Sequence, residues 1–266
     1  MELSKNSPIG VFDSGLGGIS VLREALRSLP NENYIYYGDN LNAPYGDRTE
    51  AEITSLTLRA LHHLVENGCK AIVIACNTAT ASCFEAACAQ IQVPVIGIEP
   101  AIALACAQQG KGKVLMMATL ATTRLPRYLA LQGRMADPER VINIPCPGLV
   151  NRIEQGRLQA EDYDDLFDAL LAPYEGLEAD AIVLGCTHYP LIKNAFARAA
   201  QRHLSGACAL YDGGPTSVRQ LANVLSENDM ANPKGHGAVA FQTSGDTAFY
   251  QPIFEKLLHA DTVLAG

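Results

Sequence analysis

Two cysteines occupy matching positions in this chain, in nearly identical surroundings. Residues 71–78 read Ala-Ile-Val-Ile-Ala-Cys-Asn-Thr, and residues 181–188 read Ala-Ile-Val-Leu-Gly-Cys-Thr-His. A short apolar, β-branched run followed by small polar residues predicts a buried strand. We therefore expect Cys76 and Cys186 where a strand ends, which is where open α/β sheets bind ligands. A helix should begin there, which lowers a thiol pKa from about 8.5 to roughly 3.5–7.5. Two such thiols predict a site with one sulfur on each side of a small substrate.

The residues after each cysteine are polar and uncharged or weakly basic. Asn77 and Thr78 follow the first, and Thr187 and His188 follow the second. Each pair can cap a helix and donate hydrogen bonds to a carboxylate, and His188 is close enough in sequence to activate its cysteine. Because these motifs contain no Lys or Arg, an anion would be held by backbone N–H groups, hydroxyls and amides. Core packing explains one cysteine at a strand end, but the repetition favours a function.

The segment 10–18, Gly-Val-Phe-Asp-Ser-Gly-Leu-Gly-Gly, follows a predicted strand and opens a helix. It fits an anion cradle of backbone N–H groups, with Asp13 handling a proton. It fits equally well a tight turn in which Asp13 is a helix cap. A dinucleotide site is a weaker interpretation: Asp39 ends the second strand, where a ribose-binding acid would sit, but Ser20 replaces the third glycine of that fingerprint.

Two further segments contain candidate site residues. The loop 42–46, Asn-Ala-Pro-Tyr-Gly, could close over a ligand with Tyr45 as a wall, although on its own this composition indicates a plain turn. Glu154 lies in a predicted short helix near the cleft, and a solvated glutamate is the alternative there.

Composition limits the class of protein. The chain has 266 residues, 48% hydrophobic and 18% charged, which indicates a compact soluble enzyme of one or two domains. A net charge of −8 argues against nucleic-acid binding. We expect no membrane span, because the apolar runs are far shorter than about 18 residues.

We also expect no zinc site, because the eight cysteines form no Cys-x-x-Cys pair. With no export signal at the start, reduced thiols in the cytoplasm are expected. The six other cysteines should be core residues, namely Cys69, Cys83, Cys88, Cys106, Cys146 and Cys208.

Strands and helices alternate along the whole chain, which predicts an α/β fold with mainly parallel sheets flanked by helices. The strands are predicted at 9–13, 34–39, 71–76, 93–98, 113–119, 141–146, 181–186, 207–211 and 238–243. Helices are predicted at 18–28, at 50–67 with a capping box of Thr49 and Glu52 and a stop at Gly68, at 161–174 and at 190–203, and 228–237 should be a surface loop.

The first eight strands form two sets of four, and the third strand of each set ends in one of the matching cysteines. This indicates a two-fold internal repeat of two similar lobes, with the site in the cleft between them. Residues 1–98 plus 208–266 are expected to form the first lobe, which carries Cys76. Residues 99–207 form the second lobe, which carries Cys186.

These motifs strongly resemble those of the cofactor-independent glutamate racemases, in the aspartate/glutamate racemase superfamily. The matching pieces span most of the chain in the same order: Phe-Asp-Ser-Gly-Leu-Gly-Gly (12–18), Pro-Tyr-Gly (44–46), Ala-Cys-Asn-Thr-Ala (75–79), Ile-Glu (153–154) and Gly-Cys-Thr-His-Tyr-Pro (185–190). The last piece is the most specific, and indicates glutamate rather than aspartate enzymes. One departure is Asn151-Arg152, where the family is usually more apolar and often has a proline.

The resemblance implies roles for particular residues. Cys76 and Cys186 would be the two acid/base residues, Asp13 would assist Cys76, and Glu154 and His188 would assist Cys186. Substrate would be bound by Asp13, Ser14, Tyr45, Gly46, Asn77, Thr78, Thr119, Thr187 and His188. It also implies no cofactor and no metal, glutamate as the small-molecule substrate, a homodimer, and a cytoplasmic supply of D-glutamate for the bacterial cell wall.

The implied chemistry is inversion of an amino-acid α-carbon by two opposed thiols. By resemblance, Cys186 faces the α-proton of L-glutamate and Cys76 that of D-glutamate. Without a pyridoxal electron sink, preorganised donors and exclusion of water must stabilise the transition state. Three alternatives remain at this point: a racemase or isomerase acting on aspartate or a hydantoin, a nucleotide-binding α/β enzyme, and a two-lobed binding protein that has lost catalysis.

Overall fold

The computed structural model, which describes residues 3–108 and 110–260, contains two parallel β-sheets flanked by helices. The first sheet has five strands in the order β4-β3-β1-β2-β9. These are β1 (Ile9–Asp13), β2 (Tyr34–Gly38), β3 (Ala71–Ile74), β4 (Val95–Gly97) and β9 (Val239–Thr243).

The second sheet has four strands in the order β6-β5-β7-β8. These are β5 (Lys113–Ala118), β6 (Val141–Pro145), β7 (Ala179–Leu184) and β8 (Ala209–Asp212). When β5 to β8 are matched with β1 to β4, the two sheets have the same strand order. The predicted α/β architecture and its two sets of four strands are confirmed, and the ninth strand extends the first sheet beside β2.

Helices connect successive strands, as parallel pairing requires. They are α1 (Ile19–Ser28), α2 (Glu50–Glu66), α3 (Asn77–Gln90), α4 (Ile102–Cys106), α5 (Leu120–Arg124), α6 (Pro126–Gly133), α7 (Leu149–Glu154), α8 (Asp164–Leu171), α9 (Lys193–His203), α10 (Gly214–Glu227) and α11 (Thr247–His259). The predicted capping box of α2 is present, since Thr49 and Glu52 exchange hydrogen bonds. Within the described residues, no helix is long and apolar enough to cross a bilayer.

Two predicted helices are shorter than expected because 3₁₀ turns, two of which contain a proline, replace their ends. The helix predicted over 161–174 is α8 flanked by two 3₁₀ turns, one of which contains Pro173. The helix predicted over 190–203 begins with a 3₁₀ turn containing Pro190, and α9 starts only at Lys193. Proline removes a backbone donor and disfavours a helical conformation in the residue before it.

The chain returns to the first sheet later than the sequence indicated. β8 pairs in parallel with β7, so residues 209–212 belong to the second sheet. The expected start of the returning segment at residue 208 is therefore too early by the length of this strand. After it, α10 packs against α1, and β9 pairs with β2. Residues 1–2 and 261–266 of the expected first lobe lie outside the described residues, and the division into two domains stays a prediction.

The central strands place the site. All residues of β1 and β3 are buried, as expected for parallel strands covered on both faces. The carboxyl ends of β1, β3, β5 and β7 carry Asp13, Cys76, Thr119 and Cys186, so four of the predicted site residues project from equivalent sheet edges.

The other cysteines only partly match the expected core placement. Cys69, Cys83 and Cys146 are buried, and Cys106 and Cys208 are half-buried. Cys88 is exposed because it lies on the outer face of α3, so the core placement predicted for it is wrong.

Candidate active site

Cys76 lies at the junction of β3 and α3. Its sulfur caps α3 by accepting a hydrogen bond from the Ala79 N–H at 3.4 Å, and the thiol is 3.5 Å from Ser14 Oγ. The side chain is buried, with 5% of the residue exposed. The predicted position at a strand end and helix start is therefore observed.

The pKa of Cys76 is shifted in the direction opposite to the sequence-based expectation. Burial and the nearby Asp13 carboxylate raise this pKa to about 12, and the charge of Cys186 adds to the rise. The hydrogen bond from Ala79 at the helix start lowers the pKa but does not compensate for burial. Cys76 is thus a protonated thiol at neutral pH.

Cys186 begins a chain of three side chains on the second lobe. Its sulfur lies 3.6 Å from His188 Nδ1, and His188 Nε2 lies 2.6 Å from Glu154 Oε1. Burial alone would lower the pKa of His188, but hydrogen bonds and charges from Cys186 and Glu154 outweigh it and hold this pKa well above its ordinary value. For Glu154, burial alone would raise the pKa, but the hydrogen bond and charge of His188 outweigh burial, and the pKa of Glu154 is lowered. Both directions indicate an imidazolium–carboxylate pair next to the Cys186 sulfur.

Asp13, on the first lobe, is hydrogen-bonded to the second lobe. Its Oδ1 accepts a hydrogen bond from Thr187 Oγ1 at 2.9 Å, and its Oδ2 accepts the Gly15 N–H at 3.0 Å. The residue has no exposed surface. Asp13 therefore lies where its charge raises the pKa of Cys76, while it also fixes the hydroxyl of Thr187, next to Cys186.

The glycines of segment 10–18 make room for the second lobe. A Cβ at Gly15 would come within 2.2 Å of Glu154 Oε1, and a Cβ at Gly17 within 2.3 Å of His188 Nδ1. The Leu16 N–H between them donates to Glu154 Oε1 at 2.7 Å. This backbone donor thus binds an anion, as a cradle would, but the anion is a carboxylate of the protein itself.

The loop 42–46 is held by Asp39. The hydroxyl of Tyr45 donates to Asp39 Oδ2 at 2.6 Å, and Asn42 and Ser244 also donate to this carboxylate. Asp39 is therefore engaged in fixing the loop, which argues against the ribose-binding role considered for it. Gly46 lies against the second lobe, because a Cβ there would come within 2.9 Å of Thr119 Cβ.

A cluster of threonine hydroxyls joins α3 to the second lobe. Thr78 Oγ1 lies 2.9 Å from Thr119 Oγ1 and 3.0 Å from Thr122 Oγ1. Asn77, next to it, is buried, and among the described residues none donates a hydrogen bond to its Oδ1. All of the residues proposed from motifs are thus brought to one interlobe region.

The unusual pair Asn151-Arg152 does not displace Glu154. Arg152 points outward and forms a two-pronged contact with Asp165, at 2.6 and 2.7 Å. Ile153, on the other face of α7, is buried in the core. The arginine therefore anchors α7 from outside and leaves Glu154 facing the first lobe.

Sequence reasoning missed several partners of the site. Asn40 Nδ2 approaches Glu154 Oε2 at 3.3 Å, and Ser20 Oγ donates to the Thr187 carbonyl at 2.8 Å. Thr122 was also missed, although its spacing from Thr119 is that of a capping pair at the start of α5. Asn40 and Ser20 had no comparable signal, because both contacts cross between lobes.

Comparison with known proteins agrees with this geometry. A model of the Asp/Glu/hydantoin racemase family matches residues 9–221. The chain belongs to this family. The resemblance drawn from the motifs is thereby confirmed, and the nucleotide-binding and binding-protein alternatives lose their support.

Relatives within this racemase family cover most of the chain. The glutamate racemase of Clostridium perfringens strain ATCC 13124 is 47% identical over 227 residues, which is 85% of this chain and 86% of that protein. A glutamate racemase isoform from Bacillus anthracis, RacE1, superposes with a TM-score of 0.85 at 29% identity, covering 96% of this chain and 95% of its own. The Francisella tularensis glutamate racemase, solved in complex with D-glutamate, gives 0.82 at 28% identity with coverage of 96% and 95%.

Proposed function

We propose that this protein interconverts L- and D-glutamate, with Cys76 and Cys186 as the two acid/base residues. The observation that carries the proposal is that two buried cysteines lie at the ends of equivalent strands, β3 and β7, while Asp13 bonds the hydroxyl of Thr187, next to Cys186, and raises the pKa of Cys76. The family and the glutamate racemases similar to this chain support the substrate.

Inversion by two thiols requires one thiolate and one thiol at the start of each turnover. For L-glutamate, the Cys186 thiolate takes the α-proton, so that its S–H bond forms as the Cα–H bond breaks. The Cys76 thiol then gives its proton to the opposite face, and Cys76 is left as the thiolate. D-glutamate uses the same steps in reverse. These protonation states suit the first direction, because Cys76 holds its proton and an imidazolium lies beside Cys186.

The polar groups around the cysteines can bind an amino acid although none of them is a lysine or an arginine. We assign substrate binding to Asp13, Ser14, Tyr45, Gly46, Asn77, Thr78, Thr119, Thr187 and His188. The unpartnered Asn77 Oδ1 has acceptor capacity for an ammonium group. Hydroxyls, backbone N–H groups and the start of α3 supply donors for carboxylates, which stabilise the charge that develops as the α-proton leaves.

The first experiment is proton NMR of L-glutamate in D₂O with purified protein, EDTA and no added cofactor. We expect the α-proton signal to disappear while D-glutamate accumulates, and both changes to stop in Cys76→Ser and Cys186→Ser proteins. The exposed Cys88 gives the matched control, because Cys88→Ser should exchange normally. An unchanged signal from folded wild-type protein would exclude glutamate, and aspartate would then be tested in the same way.

We further propose a cytoplasmic homodimer that supplies D-glutamate for peptidoglycan. Membership of the Asp/Glu/hydantoin racemase family supports this role. Light scattering at micromolar concentration tests the dimer, and rescue of a D-glutamate auxotroph tests the cellular role.

A further inference from the structure

Arg127, on α6 of the second lobe, reaches across to the helix that begins beside Cys76. Its guanidinium lies over the Phe84 ring at 4.4 Å from the centroid. Its Nη1 is 2.5 Å from Glu85 Oε1, and its Nη2 is 2.6 Å from Glu99 Oε1. Phe84 and Glu85 are on α3, and Glu99 is in the segment that connects the two lobes. One side chain thus contacts both the first lobe and the connection.

These contacts differ from an ordinary surface ion pair. The two carboxylates are exposed, at 72% for Glu85 and 48% for Glu99, but the Arg127 side chain is only 26% exposed and also lies over an aromatic face. Exposed pairs contribute little because solvent screens them and long side chains lose freedom. A guanidinium held by three partners loses less freedom for each contact that it makes.

The contacts of Arg127 fix α3 at a second point. The first turn of α3 is already joined to the second lobe by Thr78, through Thr119 and Thr122. Arg127 holds the same helix about two turns further on. Two separated contacts constrain the angle between α3 and the second lobe more tightly than the threonine cluster alone would.

We propose that Arg127 is a positioning residue that holds α3 against the second lobe and thereby keeps the sulfur of Cys76 aligned with that of Cys186. The expected effect on kcat rests on the proposed function, whereas the expected effect on the position of α3 does not. Because Cys76 is the cap of α3, rotation of the helix moves the sulfur directly. Displacement of a reacting group by about 1 Å can reduce a rate by about 100-fold.

The test compares Arg127→Gln with Arg124→Gln. Arg124 is an exposed residue of α5 three positions earlier, and the described residues give it no hydrogen bond or ion pair, so the charge change is matched. Iodoacetamide labelling followed by mass spectrometry would measure Cys76 and Cys186, with half-buried Cys106 as the internal reference. We expect Arg127→Gln to label both buried cysteines at least about tenfold faster relative to Cys106, and Arg124→Gln to match wild type. Equal labelling in the two variants would overturn the proposal.

Kinetics separate positioning from general stability. We expect Arg127→Gln to lower kcat by about tenfold with a smaller change in KM, and Arg127→Lys to restore part of kcat because it retains the charge. If Arg127→Gln does not fold, Glu85→Gln with Glu99→Gln removes both carboxylate partners and leaves the arginine in place. Labelling and kcat at wild-type values in that double variant would contradict the proposal. If wild-type protein exchanges no α-proton, the proposed function fails, whereas the labelling experiment still decides the role of Arg127.

Discussion

Thr187 Oγ1 donates a 2.9 Å hydrogen bond to Oδ1 of Asp13, a residue 174 positions earlier in the chain. Both residues are buried, so this bond joins the strand ends of the two lobes out of contact with bulk water. It also couples the carboxylate that acts on Cys76 to the residue that follows Cys186.

Thr187→Val should therefore destabilise the protein and lower its activity. Valine keeps the shape but leaves one oxygen of a buried carboxylate without its donor, which costs about 1–3 kcal/mol. Urea unfolding measures the loss. Thr123→Val is the control, because that hydroxyl donates only to the carbonyl of Leu120 in its own helix. Equal stability of the two variants would show that the interlobe bond contributes nothing measurable.

Gly17→Ala should strongly impair catalysis. The new Cβ would come within 2.3 Å of His188 Nδ1, so the imidazole or the loop must shift, which disturbs the contact of His188 with Cys186. We expect kcat/KM to fall by about 100-fold, the size of loss associated with a displacement of about 1 Å. Gly133→Ala is the matched control, since a Cβ there meets nothing within 4 Å. Activity near wild type in Gly17→Ala would mean that the position of His188 is unimportant.

Glu154→Gln should lower the pKa of His188. The carboxylate is one of the two groups that raise this pKa, and glutamine removes its charge while retaining an acceptor. Titration of the imidazole by NMR would report the shift. Glu66→Gln, an exposed change on α2, should leave the titration as it is in wild type. An unchanged His188 titration in Glu154→Gln would contradict the assigned ion pair.

The Cys76 thiol should make stability fall at alkaline pH. Its pKa is raised to about 12 in the folded protein, against about 8.5 when unfolded. The folded state therefore holds the proton more tightly, so this contribution is complete below about pH 8.5 and is lost as pH rises toward 12. We expect Cys76→Ser to reduce the slope of unfolding free energy between pH 9 and 11 by up to about 1.4 kcal/mol per pH unit. Denaturant titrations test this, and an unchanged slope would contradict the raised pKa.

Lys70→Met should be far more destabilising than a change in a surface ion pair. Lys70 Nζ lies 2.6 Å from Glu32 Oε2, and both side chains are almost fully buried. Removing the lysine leaves an uncompensated buried carboxylate, which costs about 3–5 kcal/mol. Lys5→Met breaks the exposed pair with Asp229 and should cost less than about 1 kcal/mol. Urea unfolding of the two variants side by side tests the difference.

Much of the fold could be predicted because its signals are local. Continuous apolar runs identified the nine strands, and Thr49 with Glu52 identified the start of α2. The expected boundary at residue 208 cut through the strand predicted at 207–211, although that strand pairs with β7 in the second sheet.

The sequence predicted which residues form the site, but not the hydrogen bonds between them. Motifs identified both cysteines and their neighbours, whereas the contacts of Glu154 with Leu16 and Asn40 join positions 138 and 114 residues apart. The pKa of Cys76 could not be read from sequence, because it depends on how completely the two lobes exclude water.

The common strand order of the two sheets has a consequence for handedness. A rotation that exchanges two similar lobes also exchanges the two faces of a substrate bound between them. Mirror-image amino acids present their α-hydrogens to opposite lobes. Under the proposed mechanism, each half therefore serves one mirror image. The halves differ in what stands beside the sulfur, Ser14 for Cys76 and the His188–Glu154 pair for Cys186. This inequality allows kcat and KM to differ between the two directions, whereas kcat/KM must be the same for both because mirror images have equal free energies.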